Sequence, residues 1–183
     1  MRTEKVKLTQ VLENKSNPRT ITESSLDKLV KSLLVFPQML ELRPIVVDDT
    51  MTVLGGNMRL RALNKIVGIT DEEIRNILMS DTRLQNGQLD TTAEYWKKWQ
   101  GSPTATICRA SNLTEAQRRE FVVKDNVGFG EWDMNALQAH WSDLPLADWG
   151  LTFEKFTTEE GNTSEENEDT NNNYERKIVP PYI

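Results

Sequence analysis

The chain of 183 residues contains only one cysteine and one histidine. A single cysteine excludes an intramolecular disulfide, and Cys108 is expected to be a small, buried, apolar residue on a strand. One histidine leaves little for a histidine-rich metal site. His140 falls in a predicted helix, so we expect it to be structural or exposed rather than the base of a Ser-His-Asp set.

Long apolar runs are also missing from the sequence. A membrane-spanning helix needs about 20 consecutive apolar residues, so the sequence predicts no contact with a membrane. The first residues also lack the apolar stretch of a secretory signal peptide. The default expectation is therefore a cytoplasmic protein.

Basic residues are too few to give the chain an overall positive charge, and its net charge is −6. Most of this charge comes from residues 157–183, where seven acidic residues meet only Arg176 and Lys177. That segment is nearly free of apolar side chains before the two basic residues, and we expect it to be a disordered acidic tail. Residues 1–156 are nearly neutral and long enough for one domain, so contact with nucleic acid would need a local basic patch.

Apolar periodicity and turn residues predict helices and short strands in alternation. Residues 5–12 read as a strand, and residues 26–34 as a helix that Ser24 and Asp27 would cap. Two strands, 43–48 and 51–54, are joined by a turn and lead into a helix that ends near Val67, with Met58, Ala62, Leu63 and Ile66 facing the core.

The second half of the chain contains further predicted helices and one strand. Thr70 with Glu73, and Thr114 with Gln117, form capping boxes, and Asp133 can cap a last helix. Residues 93–99 form another helix, and residues 104–109 a short strand. The helix over 93–99 carries three aromatic residues, which could stack on nucleic-acid bases but more often pack onto the domain: Tyr95, Trp96 and Trp99.

The most informative segment is the strand-to-helix turn at Gly55 and Gly56. Two glycines let the backbone approach a ligand closely, and the first N–H groups of the following helix favour an anion. Asn57 begins this helix, and Arg59 and Arg61 add guanidinium groups that suit phosphate oxygens. The turn therefore predicts a phosphate-binding corner, although a simple structural turn is the alternative.

Several short motifs occur in the order found in the ParB/sulfiredoxin superfamily. Asn17-Pro18-Arg19 resembles an early Asn-Pro element, and the segment 56–62 is similar to the Gly-Glu-Arg-Arg-x-Arg-Ala box of ParB proteins. Residues 121–126 resemble the helix that carries the Glu-Asn-x-Gln-Arg element. The resemblance covers residues 4–68 and 104–130 and implies an α+β fold, a small mixed sheet with flanking helices. Residues 69–103 would then be a helical insertion.

The resemblance implies a nucleotide site, since the box binds CTP in ParB and ATP in sulfiredoxins. Arg59 matches the arginine that both boxes share, and Ser32 matches a hydroxyl residue near the phosphates. Asp125 and Asn126 match a pair beside the triphosphate and metal, so Asp125 is the candidate Mg²⁺ ligand. The implied phosphate-binding residues are Gly55, Gly56, Asn57, Arg59, Arg61, Ser32, Arg19 and Asn126.

Two departures from the family patterns change the expected chemistry. Gly128-Phe129 stands where ParB has Gln-Arg, which removes an arginine contact to phosphate. Asn57 occupies the position of the reactive cysteine of sulfiredoxins, so the chain is not expected to be a sulfiredoxin-type reductase. The structural alternative for Asp125 and Asn126 is a cap at the end of a helix.

Residues 124–133 resemble a narrower group of ParB-like proteins from phages and mobile elements that are linked to DNA modification methylases. The resemblance therefore implies a domain that binds CTP or ATP with Mg²⁺ and acts with DNA or with a DNA methyltransferase, and it allows a homodimer. Two alternatives remain open. The chain could be a DNA nuclease or NTPase, or a protein-interaction module whose nucleotide pocket is degenerate.

Overall fold

In the computed structural model, residues 2–84, 87–128, 130 and 132–151 are described. The predicted acidic tail over 157–183 lies outside them. The described chain forms four strands, seven α-helices and one 3-10 turn at Leu8–Gln10. In chain order the strands and helices are β1 (Thr3–Lys7), α1 (Glu23–Val35), α2 (Met39–Leu42), β2 (Ile45–Val47), β3 (Val53–Gly55), α3 (Asn57–Val67), α4 (Asp71–Met79), α5 (Gln88–Gly101), β4 (Thr104–Arg109), α6 (Glu115–Lys124) and α7 (Met134–Trp141).

The strands form one mixed sheet in the order β1-β4-β2-β3. β1 pairs antiparallel with β4, β4 pairs parallel with β2, and β2 pairs antiparallel with β3. Ile45 lies opposite Ile107 in the parallel pair, and both are buried. The predicted α+β fold with a small mixed sheet and flanking helices is therefore confirmed.

The main core lies where α1 and α3 pack together against the sheet. Leu33 and Leu34 of α1 and Leu63 of α3 are almost completely buried. The predicted inward face of α3 was partly wrong, since Leu60 is 1% exposed whereas Met58 is only half-buried. The helix is turned so that Leu60 and Leu63, three residues apart, point to the core together.

The start of α1 differs from the prediction that Ser24 caps it. Thr22 has extended backbone angles, and its hydroxyl accepts the N–H of Ser25 at 3.2 Å. The helix therefore begins at Glu23, which leaves Ser24 inside its first turn. The three other predicted caps are confirmed, because Thr70, Thr114 and Asp133 each accept an N–H three residues further on.

The first predicted strand, over 5–12, is shorter than expected. β1 ends at Lys7 because the chain turns there, and the Leu8 N–H donates to the carbonyl of Pro103. Beyond the end of β1, Leu8 and Val11 are buried in the core. Beyond the turn, Leu12 forms an isolated parallel bridge with Thr52, which carries the chain alongside β3.

Helices α4 and α5, which cover most of the segment 69–103, are part of the same core. Trp96 is 0% exposed, and its indole N–H donates to the carbonyl of Leu34 at 2.9 Å. Trp99 is buried too and donates to the carbonyl of Thr104. Packing, rather than stacking on bases, is therefore confirmed for both tryptophans, while Tyr95 stays 42% exposed beside Trp96.

Two minor sequence predictions also agree with the structure. Cys108 is a buried free thiol on β4, and His140 is exposed on α7. Of the helices in the described ranges, none is both long and apolar enough to cross a lipid bilayer.

Candidate functional site

The turn between β3 and α3 has the backbone geometry that its two glycines predicted. Gly56 has a φ of 102°, in the left-handed region that residues with a side chain rarely adopt. It is the N-cap residue of α3, and glycine has no side chain with which to cap a helix. The first amides of an α-helix lack partners inside the helix, so the start of α3 offers donors to an anion.

Gly55 brings the end of α6 close to this turn. A Cβ atom at Gly55 would lie 2.8 Å from Oδ2 of Asp125 and 3.2 Å from Cε1 of Phe121. The carboxylate can therefore sit against the backbone of β3 only because residue 55 has no side chain. Two segments that the sequence pointed to separately, 55–61 and 125–126, meet here.

Arg59 folds back across Gly56. Its guanidinium donates to the backbone carbonyls of Arg43 and Pro44, and its Nη2 would lie 2.8 Å from a Cβ atom at Gly56. Burial lowers the pKa of Arg59, and the charge of Arg43 lowers it further, whereas Asp125 raises it. An arginine nevertheless stays protonated in proteins, so a partly desolvated positive charge lies at the start of α3.

Arg19 and Asn126 complete the cluster. Nη1 of Arg19 donates to Oδ1 of Asn126 at 2.8 Å, and Nδ2 of Asn126 donates to the carbonyl of Val122 at 2.7 Å. Asp125 itself is the C-cap residue of α6. We use the name corner cluster for Gly55, Gly56, Arg59, Asp125, Asn126 and Arg19, which come from three separate parts of the chain.

The side chains of Asn57 and Arg61 are engaged elsewhere. Asn57 is 3% exposed, and its amide group both accepts from the N–H and donates to the carbonyl of Asn14. Arg61 forms an ion pair with Glu13. Both side chains fasten α3 to residues 13–14, so at Asn57 the backbone N–H is the group that remains for an anion.

Ser32 lies in a different place from the corner cluster. It lines a small recess on α1 together with Lys28, Lys31, Asp81, Arg83, Asp148 and Trp149. Within the described part of the chain, that recess is lined by no residue of the corner cluster. The structure thus does not bring Ser32 together with the other predicted phosphate-binding residues.

A groove with a volume of about 960 Å³ runs along α6. It lies between α6, strand β3 and the segment that holds Asn14, Ser16 and Pro18. Leu54, which lines the groove, immediately precedes Gly55, so the groove borders on the corner cluster. The volume is within the range of about 300–1,000 Å³ that small-molecule sites usually occupy.

Sequence reasoning missed two charged residues that line this groove, Asp48 and Arg118. Asp48 is 5% exposed, and its Oδ2 accepts a hydrogen bond from Nη1 of Arg118 at 3.1 Å. The two residues lie 70 positions apart in the sequence, so no local sequence pattern could predict their contact.

The corner cluster can hold a metal ion only if a bound ligand supplies most of the coordinating oxygens. The corner cluster contains one carboxylate, that of Asp125, and no group of three metal-ligating side chains occurs among the described residues. A single carboxylate fits Mg²⁺ when phosphate oxygens and water supply the other ligands. Asp125 as an Mg²⁺ ligand therefore stays a prediction that depends on a bound phosphate.

Gly55→Ala should displace Asp125 from the corner. The added methyl would lie 2.8 Å from its carboxylate and 3.2 Å from the ring of Phe121, so the carboxylate must turn away and the ring must move, at a cost of about 1–3 kcal/mol in the free energy of unfolding. Urea unfolding gives that cost. Gly128→Ala is the matched control, because a Cβ atom there meets nothing within 4 Å. Equal stability of the two variants would contradict the close contact at Gly55.

Stability should fall at acidic pH partly through Asp48. Burial alone would raise the pKa of Asp48, but hydrogen bonds from Thr50, Thr52 and Arg118 outweigh it and hold the pKa below the ordinary value of 3.8. A carboxyl whose pKa is lowered by folding stabilises the protein above its unfolded pKa and loses that effect as the pH falls through its folded pKa.

Asp48→Asn should therefore cost about 1–3 kcal/mol near neutral pH, and the difference from the unchanged protein should shrink below about pH 4. Urea unfolding of both proteins between about pH 7 and pH 2.5 measures it. A difference that stayed constant over this range would show that the charge of Asp48 does not stabilise the fold.

The chain is similar to solved structures but not to protein-family models or curated sequences. No protein-family model matches the sequence, and none of the curated proteins is similar to it. Among solved structures, the chain is similar to the C-terminally truncated chromosome-partitioning protein ParB from Caulobacter crescentus complexed with CTP-gamma-S. The identity is 16% and the TM-score 0.49, over 81% of this chain and 71% of that chain.

Proposed function

We propose that this chain is a ParB-like domain that binds CTP or ATP, with the triphosphate at the start of α3. The observation that carries this proposal is the corner cluster, in which Asp125 of α6 reaches the backbone of Gly55 while Arg59 folds over Gly56. Glycine backbone, helix amides, a guanidinium and one carboxylate are the groups that a magnesium nucleotide requires. They are brought together from segments 70 residues apart, which a simple turn would not need.

Each group has a distinct part in holding the ligand. The amides at the start of α3 would donate to phosphate oxygens, and the guanidinium of Arg59 would neutralise their charge. Asp125 would hold Mg²⁺, which when bound neutralises phosphate charge. The pair formed by Arg19 and Asn126 lies next to Asp125 and would form the side wall of the site.

Nucleotide binding would then change the position of α6, and a partner that contacts α6 would recognise the change. Asp125 and Asn126 lie at the end of this helix, so a ligand that contacts them stabilises one position of α6 over others. The resemblance of residues 124–133 to phage and mobile-element proteins supports a cytoplasmic partner of the DNA-modifying kind, such as a methyltransferase. The proposed role also allows a homodimer. Residues 1–156 are nearly neutral, which favours contact with DNA through that partner or through a local patch.

Calorimetric titration of the purified chain with CTP, ATP and GTP tests the proposal. Each nucleotide is added with Mg²⁺ and then with EDTA, and binding of CTP or ATP that strengthens with Mg²⁺ is the expected result. Absence of binding by all three nucleotides would overturn the proposal. Mg²⁺-dependent cleavage of plasmid DNA that Asp125→Ala abolishes would instead support the nuclease alternative.

One observation favours a second candidate, a protein-interaction module with a degenerate pocket. The guanidinium of Arg59 already donates to the carbonyls of Arg43 and Pro44, so it satisfies part of its hydrogen-bonding capacity within the protein. If that is its whole role, Arg59→Ala will change stability alone. The nucleotide proposal requires that the same substitution also remove nucleotide binding.

A further inference from the structure

Helix α6, which ends immediately before Asp125 and Asn126, has few apolar contacts with the rest of the domain. Among its described side chains Val122 is the one that is buried, at 8% exposed. Val122 packs in a small cluster with Leu54 and Ala110, separate from the main core, and the half-buried Phe121 packs against that cluster. These apolar contacts all lie on the second half of the ten-residue helix, so its first half needs an attachment of its own.

Arg118 provides that second attachment on the first half of α6. Its Nη1 donates to Oδ2 of Asp48 at 3.1 Å, and its Nε donates to the carbonyl of Leu113 at 3.2 Å. One guanidinium thus joins the loop before α6, the helix itself and the turn between β2 and β3. Arginine can do this because its donors point in fixed directions within one plane.

Asp48, the partner of Arg118, is itself held firmly. Its Oδ1 accepts hydrogen bonds from the N–H and the hydroxyl of Thr50 and from the N–H of Thr52, at 2.7–2.9 Å. With Oδ2 bound to Arg118, both oxygens of this buried carboxylate have partners. Its position is therefore set by the hairpin turn, and it offers α6 a rigid contact rather than a flexible one.

The ion pair joins the same two parts of the fold that meet at the corner cluster, namely α6 and the hairpin of β2 and β3. Toward the C-terminus of α6, Asp125 follows Arg118 by seven residues, which is about 10 Å along a helix. On the other side, the turn that holds Asp48 leads directly into β3, which ends at Gly55. A change in the Arg118–Asp48 contact therefore changes the angle at which α6 presents Asp125 to Gly55.

We propose that Arg118 is a positioning residue of the nucleotide site, acting through Asp48 to hold Asp125 and Asn126 against Gly55. This inference rests on the proposed nucleotide function. In the proposed arrangement, Arg118 does not contact the nucleotide. Its effect on affinity comes from the placement of α6 alone, as it does for groups that orient the direct ligands of a bound metal.

The test compares Arg118→Ala with Arg118→Lys and with Arg119→Ala. Arg119 is the matched control, because it is the next residue of α6, lines the same groove and has an exposed side chain. Calorimetry measures the Kd for the nucleotide that the unchanged chain binds, and circular dichroism confirms that each variant is folded at the temperature used. Hydrogen exchange of the amides of residues 121–126 reports the order of the end of α6 without any ligand.

We expect Arg118→Ala to weaken nucleotide binding about tenfold or more, the scale known for groups that orient a ligand's direct contacts. Exchange at residues 121–126 should speed up in the same variant. Lysine keeps the charge that faces Asp48 but not the planar donors, so Arg118→Lys should recover part of the affinity, and Arg119→Ala should leave both readouts unchanged.

The possible failures can be told apart. If the unchanged chain binds no nucleotide, the proposed function fails and the positioning role falls with it. If the unchanged chain binds and Arg118→Ala binds equally well, the positioning role alone is overturned. A loss that Arg118→Lys does not recover and that Arg119→Ala shares would also overturn it, because it would reflect the general positive charge of the groove.

Discussion

Arg59→Ala is expected to reduce nucleotide affinity about 30-fold or more, since losing one partner of a desolvated, charged hydrogen bond costs roughly 2–5 kcal/mol. The guanidinium lies over Gly56 at the start of α3, where the phosphate charge would be held. Substitution would leave the helix amides in place but remove the cation. Calorimetric titration of the variant beside the unchanged chain gives the effect directly.

Stability must be measured in the same variant, because Arg59 also binds the protein itself. Loss of its hydrogen bonds to the carbonyls of Arg43 and Pro44 should lower the free energy of unfolding by about 1–3 kcal/mol. Arg75→Ala is a suitable control, since Arg75 forms an exposed ion pair with Asp90 on the distant helices α4 and α5. Unchanged affinity in a folded Arg59→Ala variant would favour the interaction-module alternative.

Trp96→Ala should be the most destabilising single substitution in the helical segment 69–103, at about 3–5 kcal/mol of the free energy of unfolding. The side chain is 0% exposed, packs edge-on against Tyr95 and Trp99, and donates to the carbonyl of Leu34. Removing it leaves a cavity between α5 and α1 and an unpaired carbonyl. Urea unfolding followed by circular dichroism measures the loss.

Two companion variants separate the contributions of Trp96. Trp96→Phe keeps most of the apolar volume and loses the hydrogen bond to Leu34, so it should cost clearly less than alanine. Tyr95→Ala, at a neighbouring position that is 42% exposed, should cost less than half as much. A Trp96→Ala variant as stable as Tyr95→Ala would mean that α5 is not part of the domain core.

Local sequence signals predicted much of the fold. The capping boxes at Thr70 and Thr114 were identified correctly because a cap and its partner lie three residues apart. The prediction at Ser24 failed because two hydroxyl residues, Thr22 and Ser24, both lie near the start of α1 and the pattern alone does not choose between them.

The candidate site was only partly predictable for a related reason. The glycine turn and the pair at Asp125 were each visible as motifs, but the contact between Gly55 and Asp125 joins segments 70 residues apart. The ion pair of Asp48 with Arg118 had no local signal either. The side chains of Asn57 and Arg61 looked suited to phosphate, yet residues 13–14 bind both of them, and this competition depends on the folded chain.

The most direct measurement of the central claim is nuclear magnetic resonance of the backbone amides during titration with CTP and with ATP in the presence of Mg²⁺. If the triphosphate binds at the start of α3, the largest shifts will be at Gly55, Gly56, Asn57 and Asp125, and Arg59→Ala will abolish them. Shifts confined to other parts of the chain, or no shifts with either nucleotide, would contradict a phosphate site at this corner.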